Sequence, residues 1–123
     1  MMIRRFSILI TLFLAACTST NDIKLPVTTS SEKALELYNE AIEFSDKWEG
    51  REAQQKFAAA LRIDPNFILA NLYAGSEDPA IVRQYRARAL ENKSNGSESE
   101  EIKVDMWMAQ REGRQADAMS LAN

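Results

Sequence analysis

ALELYNEAIEFSDKWEGREAQQKFAAALRIDPNF, residues 34–67, is the stretch that decides the fold of this 123-residue chain. Its apolar residues recur every three or four positions, which places each set on one face of a helix. The first set is Leu37, Ala41 and Phe44, and the second is Ala53, Phe57, Ala60 and Leu61. Residues 46–50 interrupt the pattern, and Pro65 ends the second helix because it lacks an N–H and clashes with the preceding turn. The stretch therefore predicts two helices, with small residues where they cross.

The same positions resemble a tetratricopeptide-type repeat, a helix–turn–helix unit that builds α-solenoids. The matching residues are Leu37, Ala41 and Phe44, then Ala53, Phe57 and Ala60, then Asp64-Pro65-Asn66. Glu40 departs from the pattern, which usually has leucine there. The resemblance implies an all-α fold of antiparallel helix-turn-helix repeats, about two and a half of them, and a scaffold that holds other proteins. The alternative is an ordinary helical hairpin with an alanine-rich seam.

The rest of the domain that begins at residue 31 also reads as helical, and no stretch of it alternates like a strand. We expect helices near 31–45, 49–63, 66–75, 79–92, 97–112 and 114–122. Their caps are predicted from short polar motifs. These are Ser30 or Ser31 with a Thr29–Glu32 capping box, Asp46–Glu49, Asn66, Asp78-Pro79 and Ser97–Glu100.

Beyond the clear repeat at 34–67, the pattern weakens and then returns. Residues 68–97 form a degenerate unit with a short first helix, and residues 98–123 form an incomplete one that stops about two turns into its second helix. Met119 and Leu121 have no following unit to pack against, although terminal repeats usually carry a polar cap. We expect either a truncated or partial array, or a short protein that self-associates through this open C-terminal repeat.

The N-terminus has the pattern of an export signal. Arg4 and Arg5 precede an apolar stretch at 6–13, which is shorter than the roughly 20 residues that span a bilayer. Leu14-Ala15-Ala16-Cys17 follows and resembles the lipobox of bacterial lipoproteins. The resemblance implies a signal peptide at 1–16, cleavage after Ala16 and acyl chains, palmitate among them, on Cys17. The alternative is an uncleaved membrane anchor in which Cys17 is incidental.

Removal of residues 1–16 leaves a polar tether at 17–30 and a helical domain at 31–123. The mature chain has 13 basic and 18 acidic residues, a net charge of −5, which argues against nucleic acid as a partner. Thr18 follows the lipidated cysteine, where aspartate favours the inner membrane in enterobacteria. We therefore expect lipid anchoring at the outer membrane, facing the periplasm.

Catalysis has little support in the sequence. The chain has no histidine, its single cysteine is assigned to lipid, and no nucleotide or metal motif is present, so we expect no enzyme activity, cofactor or metal. Glu36, Glu40 and Glu43 are expected on the solvated face of the first helix. Glu98, Glu100 and Glu101 lie at the start of the fifth helix, where the helix dipole favours acidic side chains. A small basic cluster on the fourth helix is expected to be another solvated face, because acidic residues lie nearby in the sequence, and the alternative is a site for an acidic peptide or a phosphate group. The cluster comprises Arg83, Arg86 and Arg88.

The family resemblance also implies a partner groove along the first helix of each repeat. The corresponding residues are Leu35, Tyr38, Ile42, Leu69, Leu72, Lys103 and Trp107. They lack the Lys and Asn pattern that clamps a free carboxyl terminus, so we expect an apolar or helical protein segment as the ligand. The alternative is that these side chains are buried by Leu25 and Val27 of the tether or by a second copy of the chain.

Three functions follow from these observations. The first is a lipid-anchored envelope scaffold that binds a protein or peptide. The second is a structural or assembly subunit of an outer-membrane complex. The third is the anchoring arm of a longer protein whose remainder lies beyond Asn123.

Overall fold

The computed structural model describes residues 26–113 and 120–121, which are helical and contain no strand. The helices are α1 (Glu32–Asp46), α2 (Gly50–Ile63), α3 (Ile68–Tyr73), α4 (Pro79–Asn92) and α5 (Glu98–Arg111), and a short 3-10 turn (Lys93–Asn95) joins α4 to α5. The predicted all-α class is confirmed. None of the helices in this part of the chain is both long and apolar enough to cross a bilayer.

Several predictions lie outside the described residues. These are the signal peptide at 1–16, Cys17, the tether up to residue 25 and most of the helix expected at 114–122. Four predicted helices are confirmed to within one residue at each end. The third is shorter than expected, because Asp64 accepts a hydrogen bond from the Asn66 N–H at 3.2 Å and holds the preceding turn outside the helix. Asn66 is therefore not the cap, and α3 begins after Phe67.

Three of the predicted caps are present. The Ser31 hydroxyl accepts from the Ala34 N–H at 3.1 Å, and Asp78 accepts from the Ala80 N–H at 2.8 Å. Ser97 and Glu100 form a complete capping box. Each bond satisfies an N–H that the first turn of a helix leaves without an internal partner.

Two predicted capping boxes are wrong. The Thr29 hydroxyl donates to Asp64 at 2.6 Å, so it ties the start of α1 to the end of α2 and does not pair with Glu32. Glu49 precedes α2 without a side-chain cap. Between the two helices Trp48 adopts a positive φ of 62° and is 94% exposed.

The α1–α2 hairpin packs through its small residues, as predicted. Ala41, Ala53 and Ala60 are buried, which lets the two backbones approach closely. The inward face of α1 is rotated relative to the prediction, because Ala34, Tyr38 and Ala41 are buried while Leu37 and Phe44 are only partly covered.

An aromatic cluster fills the space beside this seam. The Tyr38 ring lies 5.9 Å from Phe57 and 5.0 Å from Phe67, and Phe57 lies 6.3 Å from Tyr73, measured between ring centroids. These tilted arrangements are the ones that aromatic pairs prefer. The cluster joins the α1–α2 hairpin to α3, so the hairpin and α3 share one continuous core.

Helix α3 lies at the centre of the molecule. It contacts α2, α4 and α5, and its residues 68–72 are all buried. The Asn71 side-chain amide donates to the carbonyls of Pro65 and Phe67, at 2.8 and 3.0 Å. These bonds fix the turn that leads into α3.

Residues before α1 belong to the domain. The Thr28 N–H and hydroxyl donate to the Glu100 carboxylate, at 2.8 and 2.6 Å, and Glu100 is only 1% exposed. The Ser97 hydroxyl donates to the Pro26 carbonyl at 3.2 Å, and Val27 packs on the core. We call these hydrogen bonds of residues 26–28 with Ser97 and Glu100 the Thr28–Glu100 latch. The predicted boundary between tether and domain at 30/31 is therefore wrong, since the docked segment reaches back to Pro26.

Gly96 makes room for the latch. A Cβ atom at this position would lie 2.5 Å from the Glu100 carboxylate and 2.6 Å from the Ile68 side chain. Both neighbours are buried and cannot move aside, so a larger residue would displace either the carboxylate or α3.

Replacement of the central aromatic residue tests the core. Phe57→Ala should lower the free energy of unfolding by about 3–5 kcal/mol, the usual cost of a large cavity in a core. A domain of this size has only about 5–15 kcal/mol in total, so a thermal melt followed by circular dichroism should shift strongly or vanish. Trp48→Ala is the matched control, because it truncates an exposed aromatic side chain and should leave the melt nearly unchanged. Equal effects of the two changes would show that the helix packing is wrong.

A second substitution tests the latch. Glu100→Gln should lower the free energy of unfolding by about 1.5–3 kcal/mol, because an amide group replaces an oxygen that accepts hydrogen bonds to a charge. Glu98→Gln removes an exposed carboxylate from the same helical turn and should cost less than about 1 kcal/mol. Urea denaturation measures both values. A Glu100→Gln variant as stable as Glu98→Gln would contradict a structural role for the latch.

Candidate functional site

An open cleft of about 170 Å³ lies between α4 and α5. Both helices pack on α3 but make almost no close backbone contact with each other, so a gap remains between them. We call it the arginine cleft, and its lining is Val82, Arg83, Arg86, Ala87, Leu90, Trp107, Met108 and Arg111. The lining thus combines an apolar floor with three guanidinium groups.

Arg86 holds the centre of the arginine cleft. One guanidinium nitrogen, Nη1, donates to the Asn71 backbone carbonyl at 2.5 Å, which connects α4 to the buried helix α3. The guanidinium carbon lies 5.1 Å from the centroid of the Trp107 ring, within the range of a cation–π interaction. Its Nε atom is buried and has no hydrogen-bond partner within the described part of the chain.

Arg111 adds a second positive charge at the same aromatic ring. Its guanidinium carbon lies 5.2 Å from the Trp107 centroid. Burial and the charge of Arg111 both lower the pKa of Arg86. Because an arginine side chain stays protonated in proteins, the two charges repel each other at neutral pH.

No acidic side chain is among the described residues that line the arginine cleft. Lys93 and Asp105, which do not line the cleft, form an ion pair at 2.5 Å, so the positive charge of Lys93 is already neutralised. The arginine cleft is consequently a cationic site with an apolar floor. Chemically, it can bind an anionic group that carries an apolar substituent.

Three residues of the predicted partner groove are buried in the core. Tyr38, Leu69 and Leu72 are 6%, 1% and 3% exposed, so the groove prediction is wrong for them and the alternative of burial applies. Leu69 and Leu72 are buried because α3, which carries them, packs against α2, α4 and α5, and Tyr38 is buried because its ring packs against Phe57 and Phe67. Val27 packs against the same core, as that alternative expected, whereas Leu25 lies outside the described residues.

The other four groove residues are partly exposed, but the structure does not bring them together. Leu35 and Ile42 lean against the core from α1, and Lys103 lies on α5 away from the cleft. Only Trp107 lines the arginine cleft. A continuous groove along the first helix of each repeat is therefore absent from this part of the chain.

The predicted basic cluster divides in the structure. Arg83 and Arg86 line the arginine cleft, while Arg88 does not. Arg111 was not predicted as a site residue. Its signal in the sequence was the spacing from Trp107, since residues four apart on a helix lie on the same side.

The acidic residues of α1 behave as predicted. Glu36 pairs with Lys33 at 2.8 Å and Glu40 pairs with Lys56, both at the surface, and Glu43 is exposed. They border a shallow depression on α1 that Leu35 and Asn39 also line. Within the described ranges, no group of three or more potential ligands is arranged to hold a metal ion. Glu100 lies at the start of α5, as predicted, and the latch buries it.

Comparisons with known proteins found no matching family model, no matching curated protein and no matching solved structure.

The repulsion between Arg86 and Arg111 generates a stability prediction. Arg111→Gln should leave the free energy of unfolding unchanged or raise it by up to about 1 kcal/mol, because it removes a like charge beside a half-buried guanidinium group. Arg88→Gln, on the same helix as Arg86 but outside the cleft, is the control and should have no such effect. Urea denaturation at low salt measures both. A loss of more than about 1 kcal/mol in Arg111→Gln would mean that Arg111 stabilises the fold.

Proposed function

We propose that the protein is a lipid-anchored scaffold of a bacterial envelope, built from tetratricopeptide-like helical hairpins, that binds a protein or peptide partner. The observation that carries the binding role is the arginine cleft. It is open and cationic, and Arg86 within it retains a buried nitrogen without a hydrogen-bond partner among the described residues. The Leu14-Ala15-Ala16-Cys17 motif supports the anchor, and Thr18 favours the outer membrane facing the periplasm.

The succession of hairpins supports the repeat-like part of the proposal. Helix α1 pairs with α2, and α3 pairs with α4, in the order that helix–turn–helix repeats follow. The six-residue α3 is a departure from that pattern, because a regular repeat needs two longer helices. In this proposal α3 and α4 form a degenerate second unit, and its first helix, α3, is part of the core.

The latch determines how far the domain can extend from the membrane. The chain from Cys17 to Pro26 can span at most about 30 Å when fully extended. Because the Ser97 hydroxyl holds the Pro26 carbonyl, the tether joins the domain at the beginning of α5. Arg111 lies at the other end of that helix, about 21 Å away. In this proposal the cationic end of the cleft is remote from the point of attachment.

We propose binding without catalysis. The chain has no histidine, which is the commonest general base, and its single cysteine is assigned to lipid. The arginines of the cleft remain protonated and cannot serve as bases near neutral pH. What the site can supply is charge and apolar surface, which are the requirements of recognition.

The anchor is tested by metabolic labelling. The full chain, expressed in bacteria, should incorporate labelled palmitate and fractionate with membranes, because the thiol of Cys17 would carry the lipid. Cys17→Ala should abolish the label. Ser19→Ala is the matched control, since it changes a neighbouring polar residue and should be labelled normally. Label retained in Cys17→Ala would refute the lipoprotein assignment.

The binding role is tested in the same cells by a photo-crosslinking residue. At Leu90, which is 41% exposed in the cleft, it should give a discrete crosslinked product of higher mass. At Ile63, which is 46% exposed on α2 and outside the cleft, it should not. Equal products at both positions, or none at Leu90, would contradict a binding role for the arginine cleft.

A further inference from the structure

We propose that the arginine cleft binds an acidic segment of a protein partner, with one large apolar side chain on the cleft floor and flanking carboxylates on Arg83, Arg86 and Arg111. The inference rests on the proposed scaffold function and specifies its partner. Charge complementarity is the first argument, because the described lining carries three positive charges and no negative one.

The size of the arginine cleft selects the apolar part of the ligand. Pockets that enclose whole small molecules measure about 300–1,000 Å³, which is well above the volume of about 170 Å³ found here. A cavity of about 150 Å³ in another protein holds a single benzene ring. The cleft floor therefore accommodates one phenylalanine or leucine side chain, which matches a single anchor residue of a protein partner.

The arrangement of the charges selects carboxylates. Arg83 and Arg111 are exposed at the rim, so their guanidinium forks are free to form the paired hydrogen bonds that carboxylates accept. Arg86 is fixed by Trp107 and by the Asn71 carbonyl, which reduces the entropy lost on binding. An anion placed between Arg86 and Arg111 would also offset the repulsion between their two positive charges.

A protein partner fits better than the headgroups of the anchoring membrane. The latch joins the tether to the start of α5, whereas Arg111 lies at its far end. Tryptophan and arginine at the centre of a small pocket are typical of the residues that dominate protein–protein binding energy. Membrane lipid is thus an alternative outcome of the test.

The test uses the full chain in nanodiscs of phosphatidylcholine and carries the substitution Trp48→Phe. This leaves Trp107, within the cleft, as the single tryptophan, since the chain has two. A library of random twelve-residue peptides is selected against this protein, and the best peptides are synthesised. Their binding is followed by Trp107 fluorescence at two salt concentrations.

We expect the selected peptides to share one large apolar residue flanked by Asp or Glu. The double change Arg83→Gln and Arg111→Gln should weaken their binding at least 10-fold, because it removes charge-assisted hydrogen bonds. Both residues are exposed, so these changes should not unfold the domain. Arg88→Gln should bind like the parent, although it also removes a positive charge from α4.

Three results would overturn the inference. Selected peptides without acidic residues, or peptides that bind the double variant as well as the parent, would place recognition elsewhere while leaving the scaffold function intact. A change in Trp107 fluorescence on replacing phosphatidylcholine with phosphatidylglycerol, together with no selected peptide, would assign the cleft to lipid. Failure of Cys17 labelling, by contrast, would count against the proposed anchor and leave the cleft result unaffected.

Discussion

The buried carboxylate of Glu100 is the constraint on which the rest of the structure depends. A charge that is 1% exposed would be costly without partners, and here it accepts hydrogen bonds from the N–H groups of Ser97 and Thr28 and from the Thr28 hydroxyl. Its place in the first turn of α5 adds the favourable helix dipole. These bonds fix three elements at once: the start of α5, the N-terminal segment and, through the close approach at Gly96, the position of Ile68 on α3.

Helix α3 links that constraint to the arginine cleft. It is too short to form a regular repeat, yet α2, α4 and α5 all contact it. Because both α4 and α5 pack on α3 and meet each other only through side chains such as Arg86 and Trp107, the arginine cleft is open between them. Asn71 contributes on both sides of this helix: its amide fixes the turn before α3, and its backbone carbonyl accepts the bond from Arg86. The shape of the cleft and the integrity of the core therefore depend on the same few residues.

Local signals predicted most of the fold, while contacts distant in sequence accounted for what was missed. Spacing and caps located four helices to within a residue, because Asp78-Pro79 and Ser97–Glu100 act within a single turn. Glu100 was predicted as part of a capping box, but no feature of the neighbouring sequence indicates that Thr28, 72 residues away, is its other partner. The same limitation affected the site. Tyr38, Leu69 and Leu72 were expected in a groove but are core residues, because the short α3, which carries the two leucines, is packed inside the domain. Arg83, Arg86 and Trp107 were each singled out from the sequence, but their meeting across two helices, and the addition of Arg111, required the tertiary structure.

The latch also has a consequence for the order in which the molecule can assemble. Synthesis proceeds from the N-terminus, so residues 26–28 emerge long before the carboxylate that they bind. Loop closure over so many residues is slow compared with the formation of a local hairpin. The α1–α2 hairpin can form early, but Thr28 and Val27 must wait for the last described helix before they dock. The contact between the two ends of the domain is therefore made last, and an interruption of synthesis before residue 100 would yield a hairpin without the latch.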